Sequence, residues 1–213
     1  MKRLFDVAAS AFGIVLLAPV LIIVALVVKA DSAGPILFRQ HRVGLRGAPF
    51  QILKFRTMQV AANGSTAIFD GDRRVTRAGA ILRRTKLDEL PQLFNVLSGS
   101  MSLVGPRPEV PAFVAHYPER DRVVLLSVRP GITDLASLRF RNEGDYLARE
   151  PDPERAYLDK ILPRKLRLAR FYVRRRSLCF DIILIWKTVF AALGRSSIGE
   201  PHIAPGPRPS RVP

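Results

Sequence analysis

The residues best suited to chemistry are two adjacent carboxylates, Asp88 and Glu89, in a chain that is otherwise rich in arginine. Most acidic side chains of a basic protein are solvated surface groups. Here a glycine- and proline-rich turn that carries Arg107 follows the pair. Carboxylates among cations suit a site that binds phosphate and a metal ion, so residues 85–92 predict such a site. The basic residues that precede the pair are Arg73, Arg74, Arg77, Arg83, Arg84 and Lys86.

The pattern around the pair predicts a helix N-terminus at one of two positions. Thr85 and Asp88 have the spacing of a capping box, which places Asp88 in the first turn. Pro91 also suits a first-turn position and favours a start near Glu89. Under either assignment the helix dipole favours ionised carboxylates and attracts phosphate. Residues 78–87 predict the preceding helix, and Gly99 predicts the end of the following one.

Two turns each present one arginine. The first turn, Gly105–Pro108, carries Arg107, and the second, residues 129–133, begins with Arg129. Taken singly, each is typical of a structural connector with a surface arginine. Together with the carboxylate pair they predict a phosphate pocket, because the guanidinium fork matches phosphate oxygens.

Lys54 and Arg56 add two cations on a predicted β-hairpin. Residues 36–40 and 50–56 alternate apolar and polar side chains, and turn-forming residues separate them. Because side chains alternate along a strand, Lys54 and Arg56 are expected on one face. Residues 61–71 are small, polar and glycine-containing, which predicts a mobile loop.

The composition points to a polyanionic environment or ligand. The chain has 213 residues, of which 34 are basic and 18 acidic, for a formal charge of +16. Nucleic acid, an anionic membrane surface and phosphorylated substrates all satisfy this charge. Three histidines and one cysteine are too few for a zinc cluster.

An uncharged apolar run, Val7–Val28, lies between Lys2-Arg3 and Lys29. A helix over this run would cross a hydrocarbon core of about 30 Å. It exceeds the apolar segment of about 7–15 residues in a cleavable signal peptide, so a membrane anchor is expected. Pro19 predicts a kink or a break near the middle. A kinked span and a broken helix that re-enters the same leaflet both stay open, although cations at both ends favour re-entry.

The second half of the chain predicts mostly helix. Residues 110–126 predict one helix, and residues 178–193 predict a helix that packs on the domain or lies at the membrane interface. Residues 200–213 are rich in proline and predict disorder. Residues 151–176 predict a basic amphipathic segment that lies on anionic headgroups. The basic side chains in its second half are Arg164, Lys165, Arg167, Arg170, Arg174, Arg175 and Arg176.

These motifs, taken in order, make the chain closely similar to the bacterial sugar transferases. This family comprises small monotopic phosphoglycosyl transferases that load a phosphosugar onto a polyprenyl phosphate. The resemblance covers residues 1 to about 195. The matching segments are Lys2–Asp6, Gly34–Gln40, Lys54–Met58, Leu87–Val96, Ser102–Glu109 and Arg129–Thr133.

The resemblance implies a predominantly helical α+β fold in three parts. Residues 1–33 would form a membrane-embedded re-entrant helix broken at Pro19, where Ala18 replaces the serine that often precedes this proline in the family. Residues 34–199 would form a catalytic domain with a small β-hairpin and several amphipathic interfacial helices. This domain would face the cytoplasm from the bacterial inner membrane, and residues 200–213 would form the disordered tail.

The resemblance also implies a chemistry for the carboxylate pair. Asp88 would attack the β-phosphate of a UDP-sugar, expel UMP and form a phosphosugar-aspartyl intermediate, which polyprenyl phosphate (undecaprenyl phosphate) then displaces. Asp88 and Glu89 would hold Mg²⁺, with Glu89 assisting the nucleophile. Arg107 would contact substrate phosphate, and Arg83 stands where the family keeps a basic residue. The expected phosphate-binding residues are Arg107, Lys54, Arg56, Arg83 and Arg129.

The expected partners are a UDP-sugar, polyprenyl phosphate and membrane lipid, without nucleic acid. Whether the protein forms a homodimer is left open. One segment departs from the family pattern, because many members continue the Pro-Gly-Ile-Thr turn with Gly-Trp-Ala-Gln, whereas this chain has Asp134 to Ser137. The resemblance therefore does not carry over the identity of the sugar. The competing interpretation is a membrane-anchored basic protein that binds anionic lipid or nucleic acid without catalysis.

Overall fold

A computed structural model describes residues 1–59, 74–141 and 143–192, with only the backbone described at Asp145. The predicted mobile loop at 61–71 and the predicted tail at 200–213 lie outside these residues. Over the described part the protein is mostly helical with two small sheets, which confirms the predicted α+β class. The strands are β1 Leu37–Val43, β2 Pro49–Phe55, β3 Ser102–Val104 and β4 Gly131–Thr133. The helices are α1 Lys2–Asp31, α2 Arg77–Thr85, α3 Gln92–Ser98, α4 Pro111–Ala115, α5 Glu119–Leu125, α6 Leu135–Arg139, α7 Glu143–Leu147, α8 Pro153–Ala156, α9 Leu162–Arg175 and α10 Leu178–Ala192.

Helix α1 is 30 residues long and contains Pro19. It is the one helix in the described ranges that is long and apolar enough to cross a membrane, and only 11% of its most apolar window is buried within the protein. It is therefore a candidate membrane anchor. The helix continues through Pro19, so the expected pair of helices separated by non-helical residues is not observed. The re-entrant course relative to a bilayer stays a prediction.

The predicted hairpin is confirmed as the antiparallel pair β1–β2. Leu37 pairs with Phe55 at the open end, and Val43 pairs with Pro49 next to the turn. Phe55 belongs to a hydrophobic cluster with Val24 and Val28 of helix α1. The hairpin therefore packs its open end against the C-terminal part of the apolar helix.

The two predicted arginine-bearing turns are joined by a short parallel ladder, β3–β4. Gly131 donates its N–H to the carbonyl of Pro106, and Gly105 donates to the carbonyl of Thr133. The backbones approach so closely that a Cβ built on Gly131 would lie 2.0 Å from the nitrogen of Gly105. Only glycine fits this contact, which explains why both turns contain one.

Two local predictions are wrong. Residues 110–126 form two helices rather than one, because Pro118 interrupts the helical backbone between α4 and α5. The capping box at Thr85 does not form either. The Thr85 hydroxyl donates back to the carbonyls of Ile81 and Leu82 at 2.9 and 3.2 Å, within helix α2.

The basic segment 151–176 is amphipathic, but not all of its cations face solvent. Lys165 is buried and donates to Glu143, and Arg170 lies 2.7 Å from the carboxylate of Asp121. The exposed cations Arg174 and Arg175 are at the end of α9. Lys165 therefore belongs to the interior, which corrects its predicted place on the headgroup face.

A buried polar network ties the start of α1 to the rest of the domain. Asp6 accepts hydrogen bonds from the Ser102 hydroxyl at 2.8 Å and from the Leu103 N–H at 3.2 Å. Lys2 donates to Asp181 on α10, and the Tyr172 hydroxyl lies 2.7 Å from the same carboxylate. The network holds strand β3 between α1 and α10.

We expect Asp6→Ala to lower the free energy of unfolding by about 2 kcal/mol, because it leaves the Leu103 N–H without its acceptor and the Ser102 hydroxyl with only the Val104 carbonyl. Thermal unfolding in detergent micelles measures the shift. Asp159→Ala is the matched control, since its ion pair with Arg155 is solvent-exposed and contributes little. Equal midpoints for the two variants would contradict the role of Asp6.

Candidate functional site

The carboxylate pair lies on a tight connection between α2 and α3. Helix α2 ends where Lys86 adopts a left-handed backbone conformation with φ of 61°. Leu87–Glu89 then forms one turn of 3₁₀-helix, and Leu90 and Pro91 lead in right-handed conformation into α3. Asp88 and Glu89 are buried, with 7% and 8% of their surface exposed. Helix α3 begins at Gln92, later than either predicted start, but the pair lies close to its N-terminus, as both assignments predicted.

Glu89 is held by two cations. Its Oε1 accepts from Lys54 Nζ at 2.9 Å and from Arg107 Nη2 at 2.6 Å, and Oε2 lies 3.4 Å from Arg107 Nη1. Burial alone would raise the pKa of Glu89, but the charges of Arg107 and Lys54 outweigh it and hold the pKa well below its usual range. Glu89 is therefore a stable anion that ties the hairpin and the Arg107 turn together.

Asp88 differs from its neighbour, because its buried Oδ1 has no hydrogen-bond partner among the residues that the structure describes. Burial raises the pKa of Asp88 above its usual value, against the opposing charges of Lys54, Lys86 and Arg107. The repulsion from Glu89 adds to the increase. Asp88 thus keeps an available oxygen and a more basic carboxylate, which are the properties of a nucleophile.

The site carries more positive than negative charge. Lys54, Lys86 and Arg107 surround the two carboxylates and all act on their pKa values. An anion such as a phosphate would balance this excess. Lys86 supplies both a charge and the left-handed turn that ends α2. The sequence did not signal this turn, because lysine has no preference for the left-handed conformation.

A second polar cluster, around Glu109, holds the end of the Arg107 turn. Glu109 accepts a hydrogen bond from the Tyr157 hydroxyl at 2.8 Å and lies 3.7 and 3.8 Å from Arg42 and Lys165. Sequence reasoning also missed this cluster, since only the position of Glu109 two residues after Arg107 signalled it. A cavity of about 40 Å³ between Arg107 and this cluster has room for about one water molecule, far less than a nucleotide sugar needs.

Three predicted phosphate-binding residues have other contacts in the structure. Arg56 is buried and donates to the carbonyls of Val28 and Ser32 at the end of α1. Arg83 donates from Nε to the Thr57 hydroxyl at 3.0 Å. The Nε of Arg129 donates to the Gly99 carbonyl at 2.8 Å. Of the predicted residues, Lys54, Asp88, Glu89 and Arg107 come together, while Arg56, Arg83 and Arg129 hold backbone or side-chain oxygens around them.

The donor set fits Mg²⁺ only as a site completed by substrate. In the described ranges, no three His, Cys, Asp or Glu side chains are grouped so that they could hold a metal ion. However, Mg²⁺ commonly binds one or two carboxylates together with substrate phosphate oxygens. Oδ1 of Asp88 has no partner, and Oε2 of Glu89 makes only the 3.4 Å contact. These two oxygens are the available ligands.

The sequence matches the family model described as bacterial sugar transferase over residues 1–195. A UDP-glucose:undecaprenyl-phosphate glucose-1-phosphate transferase of Caulobacter vibrioides is 51% identical over 65% of the chain. A UDP-N-acetylgalactosamine-undecaprenyl-phosphate N-acetylgalactosaminephosphotransferase of Aeromonas hydrophila is 36% identical over 89% of the chain. An exopolysaccharide production protein of Rhizobium leguminosarum bv. phaseoli is 38% identical over 92%.

The lengths of these relatives differ. The match covers 53% of the Caulobacter protein and 43% of the Aeromonas protein, so the chain spans about half the length of these two relatives. It covers 96% of the Rhizobium protein. The carboxylate pair and the Arg107 turn lie inside the range of the family match.

The unequal environments of the pair predict opposite effects on stability. We expect Asp88→Asn to leave the free energy of unfolding unchanged or to raise it, because the fold disfavours the ionised form of Asp88. Glu89→Gln should lower it by about 2 kcal/mol, since it leaves the partly buried charges of Lys54 and Arg107 unpaired. Thermal unfolding at pH 7 tests both. Equal losses of unfolding free energy in the two variants would show that the two carboxylates do not differ in their contribution to stability.

Proposed function

The chain belongs to the bacterial sugar transferase family, and we propose that it transfers a sugar 1-phosphate from a UDP-sugar to undecaprenyl phosphate and releases UMP. The product would be an undecaprenyl-diphosphate sugar, the first lipid-linked intermediate of a glycan. Two of the relatives carry names that specify undecaprenyl phosphate as the acceptor, with UDP-glucose or UDP-N-acetylgalactosamine as the donor.

One observation carries this proposal: two adjacent buried carboxylates differ in their partners and in the direction of their pKa shifts. Glu89 is neutralised by Lys54 and Arg107, whereas Asp88 keeps a free oxygen and a raised pKa. A basic protein that only bound polyanions would have no use for a desolvated carboxylate beside its cations. The arrangement instead suits covalent catalysis on an anionic phosphorus centre.

The reaction would proceed in two displacements. In the first, Oδ1 of Asp88 attacks the β-phosphorus of the UDP-sugar, an aspartyl O–P bond forms, and the P–O bond to the α-phosphate breaks. The electron pair leaves with UMP. In the second, a phosphate oxygen of undecaprenyl phosphate attacks the same phosphorus, and the aspartyl O–P bond breaks to regenerate the Asp88 carboxylate.

The neighbouring side chains would bind and orient the phosphates. Arg107 has its side chain 30% exposed, so it can contact substrate while it remains paired with Glu89. Lys54 and Lys86 complete a positive lining that offsets the charge of the phosphoryl group. Mg²⁺, held by Asp88 and Glu89 together with the substrate, would supply further neutralisation of phosphate charge.

The site would work at a membrane surface, because one substrate is dissolved and the other is a lipid. Helix α1 is the candidate anchor, and the exposed apolar side chains of α10 suit an interfacial helix. Ile183, Trp186 and Phe190 are 49%, 59% and 43% exposed on α10. We place the catalytic domain on the cytoplasmic face of the inner membrane, where UDP-sugars are made.

The sugar is not assigned, because the relatives differ in the sugar they name. In the segment that departs from the family pattern, Asp134 caps the N-terminus of α6 by accepting from the Ser137 N–H at 3.1 Å. Asp134 stands where many members carry a glycine, so we do not carry over the sugar of other members.

We expect the purified protein to release UMP from one of a panel of UDP-sugars in the presence of Mg²⁺ and undecaprenyl phosphate. Asp88→Asn should abolish the release, because the amide cannot form the aspartyl O–P bond. Nucleotide chromatography measures the product. Mass spectrometry after incubation with UDP-sugar alone should detect a phosphosugar adduct on Asp88.

Each alternative gives a different product. Release of UDP would indicate direct displacement at the sugar carbon, and salt-sensitive polyanion binding without any nucleotide release would indicate a non-catalytic basic protein. Undiminished UMP release by Asp88→Asn would refute Asp88 as the nucleophile. UMP release without an adduct would indicate a single displacement.

The pH dependence of the first displacement should report the ionisation of Asp88. Only the carboxylate attacks, so the rate should rise with pH as Asp88 ionises. Burial raises the pKa of Asp88, whereas Mg²⁺ held beside the carboxylate would lower it. The charge of Lys54 lowers the pKa of Asp88, so Lys54→Met should move the acidic limb of the pH–rate profile to higher pH. Single-turnover UMP release between pH 4 and about 8 measures the limb.

Arg84→Met is the matched control, because Arg84 is exposed and is not among the charges that shift the pKa of Asp88. Its acidic limb should coincide with that of the unmodified protein. A limb that does not move in Lys54→Met would contradict the electrostatic coupling between Lys54 and Asp88.

A further inference from the structure

The segment from Asp88 to Val96 has one buried side. The buried positions are 88, 89, 91, 92, 95 and 96, whereas Leu90, Leu93 and Phe94 are partly or fully exposed. Strand β2 covers the buried side, because Lys54 contacts Glu89 and Gln51 and Leu53 contact Asn95. Gln92 lies between these two contacts, one turn after Asp88, and is only 1% exposed.

The polar side chains on either side of Gln92 both have hydrogen-bond partners. Glu89 binds Lys54 and Arg107. Asn95 accepts from the Leu53 N–H at 2.9 Å and donates to the Gln51 carbonyl at 2.8 Å. These contacts tie the segment to β2 and account for the burial of both side chains.

Gln92 is different, because its buried Nε2 has no hydrogen-bond partner within the described ranges. An unpaired buried amide destabilises a fold, so its presence calls for a reason. The same buried side contains one other unpaired atom, Oδ1 of Asp88. A donor and an acceptor thus remain unused on one side of the segment, within about one helical turn of each other.

We propose that the carboxamide of Gln92 is a catalytic group that donates a hydrogen bond from Nε2 to a non-bridging oxygen of the phosphoryl group while it is transferred to Asp88. The inference rests on the proposed function, since the phosphoryl group reaches Gln92 only by bonding to Asp88. Once the O–P bond forms at Asp88, the phosphoryl oxygens occupy the space next to that carboxylate. An amide donor held there in advance stabilises the charge that these oxygens carry in the transition state.

The contrasting explanation is structural, with the Gln92 amide needed for packing or paired with a buried water. The two explanations differ in their effect on stability. Replacing an unpaired buried amide with an apolar group of similar shape is neutral or stabilising, whereas removal of an amide that makes good hydrogen bonds is destabilising. Activity and stability should therefore change independently if the role is catalytic.

The test compares Gln92→Met with the unmodified protein in single-turnover UMP release. We expect the rate constant of the burst to fall on the order of 10²-fold, as for the loss of one donor to a developing oxyanion. The burst amplitude should stay complete, because every molecule is folded and only the transition state has lost a contact. The unfolding midpoint should be unchanged or higher. In steady state kcat should fall while KM for the UDP-sugar changes little.

Two further variants make the result decisive. Gln92→Leu removes the donor without adding another polar group, so it should be slowed at least as much and provides the measurement if Gln92→Met does not fold. Asn95→Leu is the matched control on the same buried side. It loses two hydrogen bonds to β2, so its unfolding midpoint and burst amplitude should fall while the rate constant of the remaining folded molecules persists.

A burst rate constant within twofold of the unmodified protein in either Gln92 variant would overturn the proposal. A reduced amplitude with a lowered midpoint and an unchanged rate constant would overturn it as well, in favour of a structural role. Failure of the proposed function itself is recognised separately, because the unmodified protein would then release no UMP and form no adduct.

Discussion

The ion pairs of Glu89 with Lys54 and Arg107 are the interaction on which the site depends. They join three parts of the chain that are distant in sequence: strand β2, the 3₁₀ turn before α3, and the turn after β3. Because Glu89 is buried, its charge would be costly without these partners. The same cations leave Asp88 beside a field that is net positive, so the neighbouring carboxylate can be desolvated and still ionise for attack.

Arg107 is useful only if its backbone is fixed, and the structure fixes it from both ends. Before the turn, β3 is held through Ser102 and Leu103 by Asp6 at the start of α1. After it, Glu109 is held by Tyr157, Arg42 and Lys165. The close contact of Gly105 with Gly131 adds a third constraint. This rigidity lets one guanidinium serve Glu89 and still present its exposed part to an anion.

The fold class, the hairpin, helix α2 and the end of α3 at Gly99 could be predicted because local pattern decides them. The membership of Asp88, Glu89, Lys54 and Arg107 in one site also followed from sequence. Other features depend on tertiary packing that periodicity does not report: the burial of Lys165, and the binding of Arg56 to the end of α1. The division of 110–126 has a local cause in Pro118, which an apolar period alone does not reveal. Lys54 and Arg56 were expected on one face of a strand. This prediction is wrong because β2 ends at Phe55, between the two residues.

The end of β2 couples the candidate membrane anchor α1 to the carboxylate pair. Within three residues the chain sends Lys54 to Glu89, Phe55 into the cluster with Val24 and Val28, and Arg56 to the carbonyls of Val28 and Ser32. The last turn of α1 is thereby tied to the site through one short stretch of backbone. If α1 lies in the bilayer, this connection fixes the height of Asp88 relative to the lipid surface. In the proposed reaction a lipid phosphate has little freedom in depth, so the carboxylate would have to be held at the matching level, and a rigid strand end does this better than a loop.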